Sequence, residues 1–274
     1  MPTPRSEVAA AAVGATIVLL GGSGRGTVNE VYDAAANSWQ KRAPLPLGVN
    51  HAGAAAVGDK VYLVGGFDDS NRPLANTWEY DPAADAWRAL APMPTPRGAL
   101  GVVSLDGQLY AVGGVGPGGD TGATQVYDPG ADRWRALRPM PTARDHLAVA
   151  TVGGLLYAIG GRLGDFARNL TANEAYDPRG GAWATLRPLP TARSGIAGAA
   201  LRGRVYVFGG ENPQKTFDEN EEYDPATDTW ATRAPLPAPR HGLGAATVAD
   251  TIYVLAGGPT PGGSETGANE AFTV

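Results

Sequence analysis

The sequence predicts an all-β fold, a β-propeller in which each of six repeats forms one blade, from three periodic features. A Gly-Gly pair recurs at intervals of 44, 48, 47, 49 and 48 residues, at Gly21-Gly22, Gly65-Gly66, Gly113-Gly114, Gly160-Gly161, Gly209-Gly210 and Gly257-Gly258. A Tyr-Asp step follows each of the first five pairs by 10 to 15 residues, and a tryptophan stands seven residues beyond each tyrosine. Apolar runs of this period, punctuated by glycine and proline, are typical of propeller blades.

Within each repeat the elements follow one order. A short apolar run ends at each Gly-Gly pair, as at residues 61–64 and 109–112, and predicts the second strand of the blade. The tyrosine and tryptophan pairs are Tyr32 and Trp39, Tyr80 and Trp87, Tyr127 and Trp134, Tyr176 and Trp183, and Tyr223 and Trp230. A Pro-x-Pro turn begins five residues after each tryptophan, and in four of five cases an arginine follows and opens the next apolar run.

These offsets resemble the Kelch repeat, and the resemblance extends from Arg5 to Phe272. It implies a six-bladed propeller of four-stranded antiparallel blades around a central channel, with the aromatic residues packed between neighbouring blades. Tyrosine and tryptophan supply large apolar area with one polar group each. We therefore expect a single domain, residues 1–274, with repeats at about 5–48, 49–96, 97–143, 144–192, 193–239 and 240–274.

The sixth repeat is incomplete. It reaches Phe272, the equivalent of the repeat tyrosine, and has neither an Asp-Pro turn nor a tryptophan after it. Only four residues precede Arg5, which are too few for a full strand. Either blade six has three strands, or a natural chain begins upstream and supplies the fourth. We expect a sixth blade without an outer strand, whose edge would be open to strand addition.

Composition excludes several classes of function. The net charge is −5 and the chain has no basic cluster, which argues against a nucleic-acid partner. The sequence has no run of 18 apolar residues, so no membrane-spanning segment is predicted. The absence of cysteine removes disulfides and thiolate chemistry, and with them the cross-linked tyrosine of Kelch copper oxidases. We expect a monomer without a cofactor.

Residues that recur in most repeats are interpreted as scaffold, because function in a repeat protein is expected where one repeat departs from the others. The recurring arginines are Arg5, Arg97, Arg144, Arg193 and Arg240. The recurring glutamates, two residues before the repeat aromatic, are Glu30, Glu174, Glu221 and Glu270. Trp78 replaces this glutamate in blade two, where we expect it to add packing.

The resemblance places a ligand pocket at one end of the channel and lines it with two sets of positions. The first set is the two residues after the repeat arginine: Ser6-Glu7, Asn50-His51, Gly98-Ala99, Asp145-His146, Ser194-Gly195 and His241-Gly242. The second set is the first and sixth residues after each Gly-Gly pair: Ser23 and Val28, Phe67 and Arg72, Val115 and Asp120, Arg162 and Ala167, Glu211 and Thr216, and Pro259 and Ser264. Residue type varies among blades at these positions, as expected of binding positions.

All three histidines, His51, His146 and His241, belong to the first set, in alternate blades. With Asp145 and Glu7 beside them they have the side-chain types for binding a divalent metal or for acid-base chemistry. The other interpretation is that they pack or cap at the strand start. We favour the structural role and expect no metal, since opposite walls of a six-bladed channel are wide apart for one ion.

The loop after the glycines of blade two, residues 65–72, resembles the corresponding loop of adaptor-type Kelch domains, where the terminal arginine pairs with acidic peptide side chains. Arg72 and Arg162 are accordingly expected to bind carboxylate or sulfate groups. Acidic residues in the same rim predict a mixed pocket. The expected ligand-binding residues are Arg72, Arg162, Asp145, His146, His51, His241, Phe67, Asn50, Glu211, Asp120, Ser6 and Ser194.

Two functions of different classes fit this pattern. The favoured one is a binding module that presents its variable loops to a protein, peptide or glycan. The alternative is a sugar-modifying enzyme of the type of the bacterial Kelch sialic-acid mutarotase, which needs a carboxylate-binding arginine and an acid-base pair. The two are distinguished by whether His146, Asp145 and an arginine converge on one point.

Overall fold

The computed structural model describes residues 1–274, which form six antiparallel sheets arranged as the blades of a closed ring. Blade one contains β1 (Ala9–Val13), β2 (Thr16–Leu20), β3 (Asn29–Asp33) and β4 (Ser38–Lys41). Blade two contains β5 (Gly53–Val57), β6 (Lys60–Val64), β7 (Thr77–Asp81) and β8 (Ala86–Ala89). Blade three contains β9 (Gly101–Leu105), β10 (Gln108–Val112), the short hairpin β11 (Val115–Gly116) and β12 (Gly119–Asp120), β13 (Thr124–Asp128) and β14 (Arg133–Ala136).

Blade four contains β15 (Ala148–Val152), β16 (Leu155–Ile159), the hairpin β17 (Arg162–Leu163) and β18 (Asp165–Asn169), β19 (Asn173–Asp177) and β20 (Ala182–Thr185). Blade five contains β21 (Ala197–Leu201), β22 (Arg204–Phe208), β23 (Asn220–Asp224) and β24 (Thr229–Thr232). Blade six contains β25 (Gly244–Val248), β26 (Thr251–Leu255) and β27 (Asn269–Thr273). The predicted six-bladed propeller is confirmed, as is a sixth blade of three strands. The structure contains no helix long and apolar enough to cross a membrane.

The first strand of each blade lines a central channel of about 460 Å³. These inner strands are rich in alanine and glycine, since larger side chains would fill the space where six strands converge. The channel walls carry no acidic, basic or histidine side chain. Within the channel, chemistry that depends on such groups must therefore lie at one of its ends.

The apolar core is divided into six clusters of 8 to 10 buried residues, one between each pair of neighbouring blades. The repeat aromatics join these layers as the resemblance implied. The Trp134 indole, for example, lies 5.1 Å from the Tyr127 ring and donates to the carbonyl of Ala91 in the preceding repeat. Each tryptophan of blades two to five makes an equivalent bond to the repeat before it. The aromatic residues thus link blades as well as filling them.

The recurring arginines are all fully buried and form part of the scaffold. In blade four, Arg144 donates to Glu174 at 2.5 Å and to the carbonyl of Ala158 at 2.7 Å. Blades one, five and six contain the equivalent pairs Arg5–Glu30, Arg193–Glu221 and Arg240–Glu270. Because a buried charge requires a partner, these pairs explain why arginine and glutamate recur together.

Blades two and three depart from this pattern in different ways. Blade two replaces both partners with apolar residues, Val49 and Trp78, which pack in the cluster between blades one and two. Blade three keeps the arginine but places Gln125 opposite it, 2.8 Å from Arg97. Burial lowers the pKa of Arg97 to about 10.

We predict that Gln125→Glu stabilises the protein by about 1 kcal/mol at pH 7, because a hydrogen bond between charged groups is stronger than one to a neutral amide. The Thr95 hydroxyl, which now accepts from Gln125, would turn to donate, as Thr142 does to Glu174 at 2.7 Å. Urea denaturation measures the difference, and Glu174→Gln is the reciprocal control that should lose stability. Destabilisation by Gln125→Glu would contradict the prediction.

Ring closure between blades one and six relies on packing and on loop contacts. The Met1 ammonium donates to the carbonyl of Gly267 at 2.8 Å, and Arg5 forms a backbone bridge with Thr266.

The equivalent of the glycine pair in blade six lies one residue earlier in the structure than the sequence alignment places it. In blades one to five both glycines of the pair have positive φ, whereas in blade six the two residues with positive φ are Ala256 (61°) and Gly257 (103°). The sixth repeat is therefore aligned one residue too late when it is read from Gly257-Gly258.

Candidate functional site

At one end of the channel six residues form a closed backbone ring, called here the mouth ring. Each is the second residue after the repeat arginine position, and each has a left-handed backbone with φ between 50° and 65°: Glu7, His51, Ala99, His146, Gly195 and Gly242. The N–H of each residue donates to the carbonyl of the equivalent residue one blade back, at 2.7 to 3.0 Å. Left-handed backbone is unfavourable for residues with a side chain, so the closed ring must hold Glu7, His51 and His146 in place.

The residue before each ring position pairs with the loop that follows the glycines. In five blades this pairing is a backbone bridge: Asn50 with Phe67, Gly98 with Val115, Asp145 with Arg162, Ser194 with Glu211, and His241 with Gly258. In blade one Ser23 donates to the carbonyl of Ser6 at 2.9 Å. The two predicted sets of lining positions therefore meet at the mouth ring. In blade six the partner is Gly258, in agreement with the corrected register, and not Pro259.

The three histidines lie close together at the mouth ring. The rings of His51 and His146 are 4.9 Å apart, edge to face. His241 is connected to them through Glu7, whose two carboxylate oxygens lie 3.2 Å from His51 Nε2 and 3.6 Å from His241 Nε2. The expectation that the channel walls are too wide for these side chains to meet is wrong, because the mouth ring turns them inward from the strand starts.

The Nδ1 atom of each histidine faces a hydrogen-bond acceptor. His51 Nδ1 lies 2.6 Å from Asn50 Oδ1, His146 Nδ1 contacts Asp145 Oδ1, and His241 Nδ1 lies 3.0 Å from the carbonyl of Gly258. Nδ1 can donate to each of these acceptors, and Nε2 is then the atom presented to the other residues of the site. Burial, followed by the positive charge of Arg162, holds the pKa of His146 well below its usual value.

Arg162 lies at the centre of the acidic side of the site. Its guanidinium donates to Asp145 at 3.0 Å, to Glu211 at 3.3 Å and to Nε2 of His146 at 3.1 Å. The ring of Phe166 lies 5.8 Å from the same guanidinium. Glu211 is further held by the N–H of Gly262 at 2.8 Å. His146, Asp145 and an arginine thus converge, as the enzymatic interpretation requires.

Glu7 is a central residue of the site, although it is not among the ligand-binding residues expected from the sequence. Burial would raise its pKa, but the three nearby imidazoles and Arg162 outweigh that effect and lower the pKa of Glu7 to about 2. Its carboxylate is therefore ionised at neutral pH. The signal in the sequence that could have identified Glu7 is that only blade one has glutamate at this position of the mouth ring.

Arg72 lies apart from this cluster. Its side chain is 78% exposed and pairs with Asp68, four residues earlier in the same loop. Its binding role stays a prediction, but it does not converge with the histidines. Its loop resembles an adaptor-type loop in local sequence, but that similarity does not determine where the Arg72 side chain lies relative to the histidines.

The remaining predicted residues line or support the mouth. Phe67 packs with its ring 5.6 Å from that of His51 and against the backbone of Gly98. Ser6 and Ser194 are buried, and the hydroxyl oxygen of Ser194 has no hydrogen-bond partner in the protein. Thr216 is buried beside Glu211, whereas Ala167 is exposed. The variable positions therefore divide into a converged cluster and a more exposed rim.

Asp120 extends the acidic side of the site from the blade-three hairpin. Burial and a hydrogen bond with Asp145 raise the pKa of Asp120 from its usual 3.8 to about 7. Asp120 consequently holds a proton at mildly acidic pH. The carboxylates Glu7, Asp120, Asp145 and Glu211 outnumber the single guanidinium of Arg162, which is already paired twice.

We predict that Asp120→Asn stabilises the protein at pH 8 by about 1–2 kcal/mol, after allowance for solvent screening, and leaves it nearly unchanged at pH 4. The folded protein binds this proton more tightly than the unfolded chain, so the stability it contributes is complete below pH 3.8 and is lost as the pH rises through about 7. Urea denaturation at both pH values measures it, with Asp250→Asn on an exposed turn as the control. An equal effect of Asp120→Asn at both pH values would contradict this prediction.

Comparison with known proteins gives matches along most of the chain. A family model described as the KLHDC2/KLHL20/DRC7 Kelch-repeats domain matches residues 7–189, and a Kelch-motif model matches residues 192–237. The Kelch-like protein terF of Aspergillus terreus (strain NIH 2624 / FGSC A1156) is 41% identical over 73 residues, which are 24% of this chain and 16% of the fungal protein. This match thus spans a small part of the fungal protein.

A solved structure described as "Structure of YjhT" has the same fold. It matches with a TM-score of 0.88 at 17% sequence identity, over 100% of this chain and 96% of the other. At this identity the likeness concerns the arrangement of the blades alone. The residues of the mouth ring have to be interpreted from their own contacts.

Proposed function

The chain belongs to the Kelch-repeat family, and from this premise we propose that it is a binding module whose ligand occupies the mouth ring and the loops around it. The observation that supports this most is the convergence of residues that do not repeat. The positions that recur in the blades are used for the Arg–Glu scaffold and the aromatic layers, whereas Glu7, Arg162 and Glu211 each occur in one blade and meet at one end of the channel.

The chemistry of the mouth favours a glycan as the ligand. Carboxylates and a guanidinium held in fixed positions supply acceptors and donors for hydroxyl groups, and the partly buried rings of Phe67 and Phe166 offer apolar surface at the rim. An anionic ligand is less favoured, because the one cation of the cluster, Arg162, already contacts Asp145 and Glu211. A negatively charged group would face more carboxylates than free positive charge.

The rigidity of the mouth ring also supports a binding role. The mouth ring fixes the backbone of its six members by mutual hydrogen bonds, and the side chains of Asp145 and Glu211 are almost fully buried. Preorganised polar groups bind a ligand without a further cost of ordering. The propeller thus presents a fixed polar surface to its ligand.

The test is a binding screen with arrays of neutral glycans, sialylated glycans, and acidic and basic peptides, followed by calorimetry. For a neutral-glycan hit, Glu211→Gln and His146→Ala should each weaken binding at least about tenfold, the loss of roughly one charged hydrogen bond. Asp250→Asn removes the same charge as Glu211→Gln from an exposed turn and should bind normally. Unchanged affinity in both mouth variants would place the ligand elsewhere, and hits among acidic peptides alone would refute the glycan assignment.

A second candidate function has one specific observation in its favour. The Asp145–His146 pair next to Arg162 has the arrangement of an oriented base beside a cation, which the sugar-modifying alternative requires. Exchange spectroscopy by NMR on any reducing sugar that binds would test it. Faster interconversion of anomers with the wild type than with His146→Ala supports an enzyme, and equal rates exclude it.

A further inference from the structure

We propose that Glu7, His51 and His146 form a binding site for a divalent transition-metal ion of the zinc class. The three residues offer ligand atoms that all lie within 4.8 Å of one another. Two imidazoles and one carboxylate are a donor set suited to such ions, and three protein ligands leave a coordination position for water or a bound ligand. This departs from the expectation of no metal, whose premise of distant histidines is wrong.

The outer contacts of the two histidines support the proposal. His51 Nδ1 is bound to the side-chain oxygen of Asn50 at 2.6 Å, and His146 Nδ1 is bound to the carboxylate of Asp145. Metal-binding histidines generally donate their second ring N–H to a carbonyl or carboxylate, which fixes the tautomer and the ring direction. Both rings are therefore fixed with Nε2 available as a ligand.

The spacing of His51 and Glu7 suits a shared ion. His51 Nε2 lies 3.2 Å from Glu7 Oε2. Bonds of about 2.0–2.1 Å at 90–110° separate two ligand atoms by about 2.9–3.4 Å, so these two atoms are already spaced as ligands of one ion.

Arg162 competes with a metal ion for Nε2 of His146, the third proposed ligand atom. It donates to His146 Nε2 at 3.1 Å, and metal binding requires this one contact to break. Its bonds to Asp145 and Glu211 hold the guanidinium near its present position without His146. His241 contacts the other oxygen of Glu7 and acts as a positioning residue for the carboxylate.

The experiment is titration of chelator-treated, tag-free protein with Zn²⁺ alone and with Co²⁺ alone, by calorimetry and visible absorption. We expect one equivalent to bind, Asn50→Ala to weaken binding about 10- to 100-fold, and His51→Gln and Glu7→Gln to weaken it further. Arg162→Met should tighten it, because His146 Nε2 is freed. Asp250→Asn, on an exposed turn outside the mouth, is the control and should leave the affinity unchanged. His241→Ala removes the residue that positions Glu7 and should weaken binding by less than His51→Gln.

Circular dichroism establishes that each variant is folded, and anomalous diffraction at the zinc edge locates the ion. Density bonded to Nε2 of His51 and His146 supports the proposal. Absence of binding in both the wild type and Arg162→Met, binding that His51→Gln and Glu7→Gln leave unchanged, or an ion located elsewhere would each overturn it. Since no glycan is present, the outcome is independent of the proposed function.

Discussion

Replacing Arg144 by methionine is expected to destabilise the protein by about 3–5 kcal/mol, because it leaves the buried carboxylate of Glu174 without its cation. The arginine side chain is fully buried and also donates to the carbonyls of Thr142 and Ala158, which would lose their partner. Urea denaturation monitored by circular dichroism measures the difference. The Arg144 side chain forms its ion pair with Glu174 and with no carboxylate of the mouth, so a folded variant should retain ligand binding.

Two comparisons separate this effect from the mere loss of a charge. Arg72→Met removes an exposed arginine that is also paired to an aspartate, and should cost less than about 1 kcal/mol. The double variant Arg144→Met with Glu174→Leu should recover a large part of the loss, since blade two of this protein already has two apolar residues, Val49 and Trp78, at these positions. A loss for Arg144→Met no greater than that for Arg72→Met would show that the buried pair is not a structural requirement.

The second large effect is expected for Gly114→Ala, which should cost about 3–5 kcal/mol through backbone strain and overpacking together. Gly114 has a φ of 97°, outside the left-handed region that other residues adopt. A Cβ atom would lie 2.6 Å from the carbonyl oxygen of Gly98 and 2.9 Å from the Cβ of Leu100. Every blade has glycine at this position, blade six included. Thermal denaturation would measure the loss.

The preceding glycine supplies a matched control. Gly113 has a φ of 64°, and its equivalent in blade six is Ala256, whose φ is 61°. Blade six therefore accommodates an alanine at this position, but in blade three a Cβ on Gly113 would lie 2.7 Å from the carbonyl oxygen of Arg144. Gly113→Ala should cost about 2–3 kcal/mol, the penalty of left-handed backbone plus this one close contact, and less than Gly114→Ala. Equal losses for the two neighbouring variants would contradict the assignment of the strict requirement to the second glycine.

Most of the fold could be predicted from the sequence because periodic residues have periodic roles. Tyr127 and Trp134 pack together as their fixed spacing indicated, and Arg144 with Glu174 proved to be a structural pair. The three-stranded sixth blade followed from the missing tryptophan. The alignment of Gly257-Gly258 was wrong by one residue, since spelling alone does not reveal that Ala256 adopts the first of the two left-handed conformations.

The candidate site was predictable in its residue types but not in its geometry. The aperiodic positions included Asp145, His146 and Arg162, which the structure brings together. Their convergence depends on the mouth ring. This ring is formed by backbone bonds between residues 44 to 49 positions apart, with Glu7 and Gly242 closing it, and by left-handed φ angles that no side-chain pattern encodes. For the same reason neither the central place of Glu7 nor the close approach of the histidines could be predicted from the sequence.

The most direct test of the central claim, that the aperiodic residues at the mouth ring form the binding site, is a crystal structure of the protein with its tightest-binding glycan hit. The ligand is predicted to lie over the mouth ring, with its hydroxyl groups hydrogen-bonded to Glu211 and Arg162 and its ring near Phe67 or Phe166. A well-occupied ligand on the outer strands, at the free edge of β27 or at the opposite end of the channel, with the mouth empty, would contradict the claim.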